Sequence, residues 1–282
     1  MTLTFAAAAD LTAEAPRVVE ALRGRGVTVL PVKTPGSALE SLRDGSLHLL
    51  LARGDGHEEF AQAGDVTAVA VLRREEARDV LIPAVGRPST LALLPGGSRV
   101  SASGARRRGF LLAHRADLDP VTLQNGGGPA EALRSGTVDA VVLGAAEARR
   151  LSLAHLASEA LDSKAWVPSA GQGSLVLLAL VGTPMPAGME GMDHAASRMA
   201  LAAERACLSA LGGGADSPLG VLAVPHGTWI RIWGMIASDD GTRVVRADLT
   251  GDREDPRKVG NSLAELLLAR GAGSLMARSA RP

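Results

Sequence analysis

Residues 133–151 read LRSGTVDAVVLGAAEARRL, and the middle of this stretch, Val138 to Gly144, decides the fold class. After Asp139, VDAVVLG is apolar on both faces, which suits a strand covered on both sides and not one with a wet side. Ser135-Gly136 breaks the helical pattern before it, and Ala145–Leu151 resumes that pattern with strong helix formers. Helix, glycine, buried strand, helix is the rhythm of an α/β sheet layered by helices.

The rhythm extends in both directions. Val27–Val32, Leu47–Leu51, Val66–Leu72, Thr90–Leu94 and Ser174–Val181 read as further strands. Pro16–Arg23, Ala105–His114 and Ala130–Arg134 read as helices, the first with proline near its start, where the missing N–H costs nothing. Pro83–Pro88 and Gly182–Gly191 read as linkers or hinges. After them the pattern changes to a long helix at Ala195–Leu211, strands at Leu219–Val224, Thr228–Ala237 and Val244–Thr250, and a helix at Lys258–Leu268. That order predicts a small α+β domain with an antiparallel sheet.

Composition narrows the function classes. The 282 residues carry 30 Lys+Arg against 30 Asp+Glu, so no global charge draws the chain to nucleic acid or membrane. No apolar run approaches the ~18–20 residues of a membrane-spanning helix. The start, MTLTFAAAADLTAEAPR, has no basic region before its apolar stretch and does not read as a signal peptide. The chain is expected to be a cytoplasmic monomer with no nucleic-acid or membrane partner. Cys207 is the only cysteine, which excludes an intramolecular disulfide and a thiolate metal cluster. The six histidines have no zinc-like spacing, and His57 beside Glu58 and Glu59 reads as a solvated loop. Gly126-Gly127-Gly128 and Gly212-Gly213-Gly214 lack a Walker lysine or dinucleotide-binding spacing, so no metal or nucleotide is expected.

Several blocks, in order, resemble the hydroxymethylbilane synthase (porphobilinogen deaminase) family. AAERACLSALGGGADSPLGVLA at 202–223 is similar to the family's AERAFLxxLEGGCQVPIGAxA, and PSAGQGSL at 168–175 to PAVGQGAL. LRSGTVDAVVLGAAEARRL resembles LxxGEYDAIILAxAGLKRL; VSASGARRRGFLLAHRADL at 100–118 resembles VGTSSLRRxAQLLxxRPDL; LRREEARDVLI at 72–82 resembles LxREDPRDVLI. The resemblance implies α/β architecture: two periplasmic-binding-protein-like α/β domains with a cleft, plus a small α+β C-terminal domain. It places the first domain at 1–82 and 174–191, the second, inserted, at 83–173, and the third at 192–282.

The resemblance also implies a chemistry. The family, a transferase of porphyrin biosynthesis, joins four porphobilinogen molecules. Loss of ammonia from an aminomethylpyrrole gives an azafulvene, which the next pyrrole attacks. This needs a tethered primer, a carboxylate to handle protons and positive charge, and cations for the acetate and propionate groups. The primer is a dipyrromethane held by thioether to the cysteine of GGCQ, where this chain has Ala215. A methyl group cannot form a thioether, so no cofactor is expected. The catalytic aspartate of AVHSxKDVP falls on Gly56 in an ungapped reading and on Asp55 after a one-residue shift; Asp55 between two glycines also reads as an ordinary turn residue.

Most of the family's cations are replaced. IGTRxSxLAxxQA becomes TFAAAADLTAEA at 4–15, RGNVxTRL becomes Gln124–Ala130 without arginine, and GKGLFxKEL has no counterpart near Val32–Ser37. Ser103, Arg106, Arg107 and Gln172 survive as candidate substrate-binding residues. The first three could hold a carboxylate at a loop-to-helix junction. The plainer readings are a solvated helix start for Arg106-Arg107-Arg108 and a purely backbone role for the Gly-Gln-Gly turn. The functional expectation is a divergent deaminase that binds porphobilinogen or a related acidic pyrrole without completing the tetrapyrrole. The alternative is a non-catalytic binder of a small anion or partner. Replacing Arg106 and Arg107 together is expected to weaken binding with little effect on melting temperature.

Overall fold

The computed structural model describes residues 2–33, 36–56, 64–123, 128–214 and 216–279. Ala215, His57–Glu59 and Gln124–Gly127, which the sequence reading singled out, lie outside the described residues. The chain divides into two compact units, residues 1–75 with 173–201, and residues 76–172 with 202–282.

The first unit is built on a five-stranded sheet in the order β2-β1-β3-β10-β4. Its strands are β1 (Thr2–Ala7), β2 (Thr28–Pro31), β3 (Leu49–Arg53), β4 (Val66–Val71) and β10 (Leu175–Leu180). The first three are parallel, and β10 returns antiparallel between β3 and β4. Leu49 and Leu51 face one core with Leu175, Leu177 and helix α1 (Ala15–Arg23), while Leu50 and Ala52 face another with Val176, Leu178 and Leu42 of α2 (Ala38–Arg43). This two-sided burial is why these strands read as continuous apolar runs.

The second unit repeats the plan in the order β7-β6-β8-β5-β9. Here β5 is Asp79–Pro83, β6 Arg99–Ser101, β7 Asp119–Val121, β8 Ala140–Gly144 and β9 Glu159–Ala160. Strands β6, β7 and β8 are parallel, and β5 returns antiparallel beside β8. The VDAVVLG stretch behaves as its pattern requires: Ala140 and Val142 enter the core of Leu81, Phe110 and Trp166, and Val141 and Leu143 that of Val80 and Ile82. Helices α3 (Ala105–His114), α4 (Pro129–Arg134) and α5 (Ala145–Arg150) follow β6, β7 and β8 in turn.

Helix α6 (Ala195–Ala210) runs from residues of the first unit into the second. The antiparallel sheet of β11 (Leu219–His226), β12 (Trp229–Ala237) and β13 (Val244–Asp252) follows, then α7 (Pro256–Ala269) and α8 (Gly273–Ser279). Leu222, Met235 and Ala237 of this sheet join the core around Phe110 and Trp166. Among the described residues no helix is long and apolar enough to cross a membrane.

One expected strand is a correction. Thr90–Leu94 contains a 3-10 turn at Leu91–Leu93. Arg115 donates to the carbonyl oxygens of Leu91, Ala92 and Leu94 at 2.7–2.9 Å, satisfying in a turn the groups a strand neighbour would have taken.

Candidate functional site

The parallel strands β6 and β8 run side by side, and the carboxyl ends of such strands are where an open α/β sheet commonly binds a ligand. Three pieces of chain meet there. Asp79 opens β5 directly opposite Gly144, the last residue of β8. Helix α3 starts after Ser103-Gly104, placing Arg106 and Arg107 on its first turn. The segment Trp166–Gln172 is the third, contributing Trp166, Ser169 and Gln172 to the cluster.

Asp79 is the centre of this cluster. Its carboxylate receives Arg106 Nη2 at 2.7 Å, Arg107 Nε at 3.1 Å, Trp166 Nε1 at 2.9 Å and Gln172 Nε2 at 2.9 Å. Burial alone raises the pKa of a carboxyl, but Arg106 and Arg107, with hydrogen bonds from Arg106 and Gln172, outweigh it and hold Asp79 well below the usual carboxylate range. Asp79 is therefore ionised and acts as a fixed anchor for the cations around it.

Arg106 is committed to the interior. Besides Asp79 it donates to Ser169 Oγ at 2.8 Å, the Val167 carbonyl at 3.0 Å and Gln172 Oε1 at 3.2 Å, and its guanidinium lies 5.6 Å from the centre of the Phe110 ring. Its side chain is 5% exposed. The solvated-helix reading of this run holds for Arg108, which is exposed, and not for Arg106. The expectation that both arginines could be removed with little effect on melting temperature is corrected on the same ground. Arg107 stands between interior and solvent: 13% exposed, it pairs with Asp79 Oδ1 at 3.0 Å and with Glu147 Oε2 at 3.3 Å. Ser103 is exposed in the loop before the helix.

Gln172 does more than shape a turn. Its amide bridges Asp79, the Ala77 carbonyl (2.7 Å) and Arg106. Gly171 before it has φ +78°, a conformation that suits glycine, and donates its N–H to Glu204 Oε2 at 2.7 Å. Glu204, fully buried on α6, also accepts the Ala223 N–H at 2.8 Å.

Asp55 lies in the first unit, in the turn after β3. Arg53 Nε donates to its Oδ1 at 2.8 Å, and the same guanidinium reaches Asp10 Oδ2 at 3.1 Å. Gly56 follows in that turn and is exposed. Cys207 is buried in α6, and burial, reinforced by Glu204, pushes its thiol up to about 12. Both effects disfavour the thiolate, the form in which a cysteine reacts. Among the described residues no three His, Cys, Asp or Glu are gathered as a metal site.

The sequence reading missed Asp79, Trp166, Ser169 and Glu147. A signal for Asp79 was present: an isolated acid immediately before the apolar run Val80–Ile82 starts a buried strand and needs a cation.

Comparison with known proteins identifies the family. Residues 59–182 match the family model described as "Porphobilinogen deaminase, dipyromethane cofactor binding domain", and residues 199–269 match "Porphobilinogen deaminase, C-terminal domain". The Asp79–Arg106–Arg107 cluster falls inside the first match, whereas Asp55 precedes it. The porphobilinogen deaminase of Roseiflexus castenholzii is 39% identical over 221 residues, 76% of this chain and 70% of that one. That of Moorella thermoacetica is 36% identical over 211 residues, 73% and 66% of the two chains. Among solved structures, lipoprotein Tp32 from Treponema pallidum aligns with 68% of this chain and 88% of its own, at 16% identity and TM-score 0.45. With two family domains matched in order and identity approaching two residues in five, the chain belongs to the porphobilinogen deaminase family.

Proposed function

We propose that this protein binds porphobilinogen or a related acidic pyrrole in its second unit, with no covalent dipyrromethane and without building the full tetrapyrrole. The observation that carries the reading is the part-exposed Arg107 guanidinium on the first turn of α3, held by the buried Asp79. Arg107 is the anchor for a ligand carboxylate, assisted by the Ser103 hydroxyl and the first-turn N–H groups of α3. Arg106, Gln172 and Asp79 are positioning residues that fix where Arg107 points.

Charge arithmetic argues against polymerisation. Each bound pyrrole brings two carboxylates, and each desolvated arginine–carboxylate contact contributes roughly 1.5–3 kcal/mol. In this cluster two arginines already face two carboxylates, Asp79 and Glu147. A ligand carboxylate must displace one of these internal partners, and the many acids of a growing chain would meet too few cations in this cluster. Asp55, in the first unit, is paired with Arg53 at 2.8 Å.

The reaction class proposed is loss of ammonia from the aminomethylpyrrole, with the resulting azafulvene passed to a nucleophile other than a tethered primer. Incubation with porphobilinogen, followed by ammonia assay and mass spectrometry of protein and products, tests this. Ammonia with a short adduct or a hydrolysed monopyrrole supports the reading. Hydroxymethylbilane as product, or no turnover and no binding, counts against it.

A further inference from the structure

We infer that Glu147 is a specificity-determining residue, an internal carboxylate that competes with ligand carboxylates for Arg107. The inference rests on the reading of Arg107 as the ligand anchor.

The aligned blocks locate the departure. Where the family pattern runs DAIILAxAGLKRL, this chain runs DAVVLGAAEARRL, so Gly144 stands at an alanine and Glu147 at a glycine. Both departures touch the same guanidinium. Glu147 Oε2 lies 3.3 Å from Arg107 Nη2, and a β-carbon added at Gly144 would lie 3.4 Å from that nitrogen and 3.3 Å from Gln172 Nε2. The alanine-to-glycine change thus clears space beside Arg107, and the glycine-to-glutamate change places a charge against it.

Asp79 and Glu147, both paired with Arg107, are not equivalent. Asp79 has no exposure and is held by Arg106, Trp166 and Gln172, so it stays with the protein. Glu147 is 36% exposed, and its contacts to Arg107 and to the Gly144 N–H are both 3.3 Å long. It is the partner that an incoming anion displaces. A ligand carboxylate therefore exchanges one ion pair for another where, with glycine at 147, it would add a new one. The acid held by Arg107 is bound more weakly, which suits release of a small product over retention of a lengthening one.

Calorimetric titration with porphobilinogen tests the idea on the full chain, using wild type, Glu147→Gln and Glu147→Gly, with a melting curve for each. Gln keeps an acceptor for the Gly144 N–H while removing the charge; Gly restores the pattern residue. Both are expected to bind about tenfold tighter, with a steeper loss of affinity on adding salt. Combining Glu147→Gln with Arg107→Ala should abolish the gain. If neither single variant tightens binding, the inference is overturned, whatever wild type does. The underlying reading fails separately, when Arg107→Ala alone leaves wild-type affinity unchanged. Tighter binding by the Glu147 variants over a wild type that binds nothing would support the inference while refuting the function proposed for the native chain.

Discussion

Asp79 Oδ2 lies 2.7 Å from Arg106 Nη2, with the aspartate fully buried and the arginine 5% exposed. A pair this deep is costly to break from either side, because the remaining charge keeps its desolvation penalty and loses its compensation. Asp79→Asn keeps the shape and removes the charge. It is expected to lower unfolding stability by roughly 3–5 kcal/mol at pH 7, read by urea titration. A change under about 1 kcal/mol would show that the cluster is not electrostatically coupled.

The same residue sets an acid dependence. The Asp79 carboxyl titrates lower in the folded protein than in the unfolded chain, so the unfolded state takes up its proton first as pH falls. Its contribution is complete above the unfolded value near ~4 and is lost progressively below it. Wild type should lose stability more steeply than Asp79→Asn between roughly pH 5 and 2. Parallel curves for the two proteins would contradict this assignment.

The two arginines should separate in a stability assay. Arg106→Ala removes donors to Asp79, Ser169, Val167 and Gln172 and is expected to cost about 3 kcal/mol or more. Arg107→Ala leaves Asp79 with Arg106, Trp166 and Gln172 and should cost roughly 1–2 kcal/mol. Equal losses would mean that Arg107 is as structural as Arg106.

How far the sequence carried this reading depends on whether the signal was local. The two-sided apolar runs of β3, β8 and β10 were legible because burial on both faces writes itself into consecutive residues. β1 was not read, because its Ala6-Ala7 end is shared with a run of alanines that suits a helix equally well. Arg106 and Arg107 were legible as chemistry but not as geometry. Their partner Asp79 is 27 residues from Arg106 and sits in LRREEARDVLI, a charge-rich stretch that resembles a solvated surface. Glu147 was passed over inside a block quoted for its likeness, since its meaning depends on α3 and α5 starting from neighbouring strands.

Intact-mass analysis should return the mass of the bare chain, because Ala215 offers no attachment point. An excess of dipyrromethane size would refute this. Ala215→Cys alone should still yield no hydroxymethylbilane, since the arginines of the missing loops are not restored. Detectable tetrapyrrole from that variant would show those losses to be unimportant.

Cys207 should resist iodoacetamide at pH 8 in the folded protein and react once the chain is unfolded in urea, given its burial and raised thiol pKa. Rapid alkylation of the native protein would place it at an open surface.

Calorimetric titration of porphobilinogen into wild type and Arg107→Ala decides whether Arg107 anchors an acidic pyrrole on a frame fixed by Asp79. Wild type should give a single-site isotherm. Arg107→Ala should bind about 10- to 100-fold more weakly, with the melting temperature lowered by only about 2–6 °C. Identical affinities for the two proteins, or no binding heat from wild type, would contradict it.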